Sequence, residues 1–198
     1  MNSRDKILAN VRRSQPPLVA APDIAVWEEK ATAKGALLET FATVAGNVGS
    51  RVVLVDSIAD LKAHLVIAPR ARVLTSIPGL LDIAKNAALF ANNAPHEMEN
   101  VELAILQAEF GVAENSALWV TEKQMGTRVL PFICQHLALV VKSTDIVPDM
   151  HAAYLRTQGT DHGFAAFIAG PSKTADIEQS LVLGAHGPRS LSIFVLTD

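Results

Sequence analysis

Leu137-Ala-Leu-Val-Val141 is an unbroken apolar run that reads as a strand buried on both faces. Arg51-Val-Val-Leu-Val-Asp56 has the same β-branched texture. Working outward, Ala71–Thr75, Leu103–Gln107, Ala117–Thr121, Phe164–Ala169 and Leu191–Leu196 are further short strands. Helical patterns separate them. Residues 3–14 form a short helix, and a longer one starts at Asp23 as N-cap. Its apolar residues Ile24, Trp27, Ala31, Leu38, Phe41 and Ala45 share one face, Gly35 weakens its middle, and Gly46 and Gly49 close it. Ser57 caps another helix, with Asp60 at its third position. Residues 78–88, 144–158 and 172–183 are also expected to be helical. Strands alternating with helices predict an α/β fold: a mainly parallel, twisted sheet with helices on both faces. The closely spaced pair 103–107 and 117–121 is the exception, because its spacing also permits an antiparallel excursion.

At 198 residues the chain suits one well-cored domain. Residues 1–22 read as an N-terminal helix and linker arm, with Gln15-Pro16-Pro17 at the break, and residues 23–198 as a single domain. Hydrophobic residues make up 49% and charged residues 19%, a globular rather than disordered balance. A formal net charge of -3 gives no electrostatic reason to expect a nucleic-acid partner. Cys134 is the single cysteine, so neither an internal disulfide nor a Cys-ligated iron–sulfur cluster can be built from this chain. The first residues carry apolar side chains only at helical intervals, unlike a signal peptide, and no stretch approaches a membrane span. The expected compartment is the cytoplasm.

Ligands of open α/β sheets bind at the carboxyl ends of strands. Three loops therefore stand out. In Gln107–Ser116, Glu109 and Glu114 flank Gly111. Glu114 is either a general base or nucleophile, or a partner for a backbone amide or lysine. In Ala169–Glu178, Gly170 and Pro171 turn the chain into an expected helix whose first turn holds Ser172, Lys173 and Thr174. That turn either caps the helix or receives an anion on its free N–H groups. Asp176 and Glu178 sit two apart and so on different helix faces. In Gly184–Arg189, two glycines leave His186 and Arg189 on a tight turn. If the sheet is wound as expected, Glu114 and Ser172 line one cleft, with Asp176 and His186 as further candidates. The remaining histidines show no metal-ligand spacing, so no metal site is expected. GxxxxGK[ST], GxGxxG and GxSxG are all absent.

Gly170-Pro-Ser-Lys-Thr-Ala-Asp-Ile-Glu178, followed by Leu181-Val-Leu-Gly-Ala-His-Gly-Pro188, resembles the C-terminal signature of the lactate-utilisation protein C (LutC/YkgG, LUD-domain) family. The likeness extends through Ile146-Val-Pro148, Leu130-Pro131 and Phe110-Gly-Val-Ala-Glu114, covering about residues 100–198 well and the N-terminal half in outline. Where the family usually has glycine in the central loop, this chain has Ser116. The resemblance implies the NagB/RpiA/CoA transferase-like fold and a role in oxidising L-lactate to pyruvate beside LutA- and LutB-like iron–sulfur proteins. This chain would be the component without a cofactor of its own, the iron–sulfur clusters residing on those partners. It carries over no established catalytic residue. Two other readings remain. One is a CoA-transferase-like enzyme using Glu114, whose neighbour Asn115 also fits that class, with Ser116 where its glycine would stand. The other is a domain that binds a small anionic metabolite.

Overall fold

The computed structural model describes residues 2–20, 22, 34–174 and 182–197. In chain order the elements begin with α1 (Ser3–Arg13), α2 (Lys34–Asn47), β1 (Arg51–Val55), α3 (Ile58–Ala63), β2 (Val73–Thr75) and β3 (Lys85–Asn86). Next come β4 (Leu103–Gln107), β5 (Phe110–Val112), β6 (Leu118–Thr121), α4 (Glu122–Met125), α5 (Leu130–Ile133) and β7 (His136–Lys142). The chain continues with β8 (Ile146–Val147), α6 (Met150–Thr157), β9 (Ala165–Ile168), β10 (Lys173–Thr174), β11 (Val182–Leu183) and β12 (Ser190–Leu196).

Six strands form a parallel sheet in the order β1-β12-β7-β4-β2-β3. The apolar runs at 137–141 and 191–196 lie at its centre, where both faces are covered and alternation is not required. Leu137, Leu139, Val141, Leu191, Ile193 and Val195 point into the larger core, with Phe41 and Ala45 of α2, Met125 of α4 and Leu130 of α5. Ala138, Val140 and Phe194 point the other way, toward Leu61 of α3 and Leu80. The α/β fold with a parallel sheet and helices on both faces is as the sequence predicts.

Four strands leave that sheet. β8-β5-β6-β9 is a separate sheet, antiparallel between β5 and β6 and between β6 and β9, and parallel between β5 and β8. The two strands of the closely spaced pair part company: 103–107 stays in the large parallel sheet as β4, and the antiparallel partner of β6 is β5, formed within the segment expected to be a loop; the strand at 164–169 pairs with β6 rather than joining the large sheet. Phe110, Trp119 and Phe167 cluster on this small sheet, with Trp119 and Phe167 ring centroids 4.4 Å apart.

Three helix expectations are corrected. Residues 78–88 hold a 3-10 turn at Pro78–Leu80, the short strand β3 and the start of a second 3-10 turn, Ala87–Phe90, since Pro78-Gly79 starts a turn that no longer run continues. The helix expected over 144–158 starts only at Met150: Pro148 keeps Val147 extended, as β8, and Asp149 then caps the helix by accepting from Ala152 N–H at 2.9 Å. The helix expected over 172–183 has strands at both ends, β10 pairing antiparallel with β11. The helix start at Asp23 and the residues Ile24, Trp27 and Ala31 lie outside the described residues. α1 buries none of its residues, and residues 14–20 beyond it are exposed.

Candidate functional site

The signature segment gathers at the amino-terminal edge of the large sheet. Ser172 N–H donates to Pro188 C=O at 2.9 Å, and Gly184 N–H donates to Ser172 C=O at 3.0 Å. Arg189 N–H donates to Gln135 C=O at 2.8 Å, which delivers the turn into β12 beside β7. Two glycines make this approach feasible. Gly184 has φ +77°, and a methyl on Gly187 would stand 3.1 Å from Ser172 Cβ. The anion-cradle expectation for Ser172, Lys173 and Thr174 is corrected by the same bonds. Ser172 N–H is occupied, and Lys173 and Thr174 are strand residues opposite Leu183 and Val182, so no helix N-terminus stands there. His186 is exposed on the turn, and Asp176 lies outside the described residues.

Glu114 follows β5 in the small sheet. Its N–H donates to Pro148 C=O, and its carboxylate accepts from Met150 N–H at 3.0 Å. The partner is therefore a backbone amide, one of the two alternatives open from sequence, and Glu114 fastens the start of α6. Glu109 is tied into the same sheet, accepting from Gln124 Nε2 at 2.8 Å. Beside Glu114 the chain is strained: Ser116 has φ +57°, is fully buried, and its Oγ has no hydrogen-bond partner among the described residues. No bond joins the Glu114 loop to Ser172 among the described residues, and the cavities described below are lined by other side chains.

At the carboxyl edge of the large sheet lies a cavity of about 200 Å³, bounded by Ile58, Ile77, Gln107, Val141, Lys142 and Leu196. It is largely apolar, with Lys142 and Gln107 as its polar groups. Nearby, Thr197 Oγ1 donates to Asp56 Oδ1 at 2.9 Å. Sequence reasoning missed Lys142, Gln107 and Asp56. A signal existed: each is the first or last polar residue closing a buried strand run, which is where open α/β sheets take ligands. Among the described residues, no three His, Cys, Asp or Glu side chains gather into a metal-sized group. No described helix is long and apolar enough to cross a membrane.

A parallel six-stranded sheet, a mixed four-stranded sheet and a signature turn bonded at the head of β12 define an α/β protein of the LUD type. The LUD-domain family model matches residues 85–196, and the chain belongs to that family. It is similar to lactate utilization protein C of Geobacillus thermodenitrificans, 32% identical over 107 residues, covering 50% of this chain and 44% of that protein. It is also similar to lactate utilization protein C of Anoxybacillus flavithermus, 30% identical over 128 residues, covering 61% and 58%. The chain spans about half the length of the curated relatives it matches. A crystal structure of a DUF162 family protein from Deinococcus radiodurans superposes with a TM-score of 0.61 at 18% identity, over 83% of this chain and 99% of that one. That likeness concerns the fold alone.

Proposed function

We propose that this chain acts in lactate utilisation, as the cluster-free component of a system that oxidises L-lactate to pyruvate beside LutA- and LutB-like iron–sulfur proteins in the cytoplasm. The observation that carries this reading is its similarity to several proteins named lactate utilization protein C, across bacteria of different genera. Cys134, the single cysteine, is 1% exposed, so these 198 residues supply no thiolate set for a cluster and electron transfer falls to partners. The small organic acid belongs, on this reading, in the carboxyl-edge cavity, where Lys142 can neutralise a carboxylate against apolar walls. Among the described residues Glu114 Oε2 accepts from Met150 N–H, which supports a tethering role for Glu114 over the transferase reading.

Deleting the gene in its own host and supplying L-lactate as sole carbon source tests the proposal. Growth should fail and return with the intact chain, and a tagged copy should retain brown iron–sulfur proteins. Undiminished growth on L-lactate in the deletion strain would refute the assignment.

A further inference from the structure

The second face of the large sheet is thinly covered. α3 has six residues and spans about 9 Å, whereas β12 and β7, with seven residues each, run about 23 Å. The helix packs toward the carboxyl half, and the amino half of that face is left as an open cavity of about 210 Å³. Strand register places its polar groups in two rows. Arg51 of β1 is opposite Ser192 of β12, which is opposite Ala138 of β7; one step earlier, Ser190 is opposite His136, which is opposite Leu103 of β4. His64, the C-cap of α3, closes the rim. Alternation in a strand points residues two apart to the same face, so these side chains share the cavity, and the small Ala138 and Ser192 leave it room.

The charge in the cavity is of one sign. No carboxylate among the described residues pairs with Arg51. His136 is held from both sides, its Nδ1 2.7 Å from Ser190 Oγ and its Nε2 3.8 Å from Glu102 Oε1. His64 Nε2 stands 3.5 Å from Asp60. Glu102 lines the adjoining cavity beyond His136 and Asp60 lies on α3, so neither carboxylate borders this one. What remains is a guanidinium, two imidazoles and two hydroxyls around a small space with Phe194 at its floor. A guanidinium fork and hydroxyl donors match the oxygens of a carboxylate or phosphate.

We propose that this amino-edge cavity is a binding site for a small oxyanion-bearing metabolite, held by Arg51, Ser190 and Ser192, with His136 positioning the Ser190 hydroxyl. The signature turn gains a purpose, because the Arg189–Gln135 backbone bond sets Ser190 against His136. The site is distinct from the carboxyl-edge cavity and does not rest on the lactate reading.

Titrations of the full ¹⁵N-labelled chain with inorganic phosphate, L-lactate and pyruvate test it. At least one probe should saturate with a dissociation constant of about 1 mM or tighter, shifting the amides of Arg51, His136, Ser190 and Ser192 together. Arg51→Gln, at an exposed position on an edge strand, should keep the melting temperature and weaken binding about tenfold. Phosphate binding without lactate or pyruvate binding supports the site and assigns it a phosphate-bearing occupant. Lactate or pyruvate binding supports it with a carboxylate occupant. Absence of saturable shifts at those four residues with all three probes overturns the proposal, as does undiminished affinity in Arg51→Gln.

Discussion

At the scale of single residues, Ser116 is where the sequence and the backbone disagree. A non-glycine residue at φ +57° costs about 1 kcal/mol or more, and its buried hydroxyl adds the penalty of an unmade hydrogen bond. Ser116→Gly should therefore stabilise the protein by about 1 kcal/mol, the gain being reduced somewhat by the freer unfolded chain. Urea unfolding should show a higher midpoint at unchanged slope; a lower midpoint would mean the hydroxyl has an unrecognised role. Cys134 gives a second residue-level prediction. Burial pushes its thiol up from 9.0 to about 12, so the native thiolate is scarce at neutral pH. A disulfide reagent should leave the folded protein unmodified at pH 8 and react fully once it is unfolded. The unfolded thiol ionises first as pH rises, so this group's contribution to stability is complete below about pH 9 and falls between there and about pH 12. Sequence showed Ser116 as a departure from the family's usual glycine, but only the tertiary structure gave its dihedral and its unpartnered hydroxyl.

At the scale of elements, the short connections were the least legible. The stretches expected as helices at 78–88 and 172–183 carry helix-compatible residues, yet tertiary pairing placed Lys85–Asn86 beside β2 and Lys173–Thr174 beside Val182–Leu183. Local propensity is worth tenths of a kcal/mol per residue, too little to resist such pairing. The start of α6 was misplaced for a local reason that the sequence does carry, the Pro148-Asp149 pair of breaker and cap. Glu114 reinforces that start from another strand. Glu114→Ala should cost about 0.5–1 kcal/mol by removing the acceptor for Met150 N–H. It should also still restore growth on L-lactate in the deletion strain. Lost growth with intact stability would return Glu114 to a chemical role.

At the scale of the whole molecule, the parallel sheet was readable because its central strands are buried on both faces. That environment demands continuous β-branched and aliphatic runs, and 137–141 and 191–196 are such runs; the similar run 51–55 turned out to be the edge strand β1, with Leu54 exposed. The family signature was legible too, since the composition of 170–188 leaves few alternatives. By itself, then, the sequence determined the fold class, the membership of the chain in its family and the lack of a thiolate set. Which residues share a site was decided only by the tertiary structure. Arg51, His136 and Ser190 lie far apart in the chain and meet because parallel strands are joined by long crossovers, whose register no local pattern records. Side-chain convergence is a property of strand order, and strand order is set by burial summed over the whole core rather than by any segment of the chain.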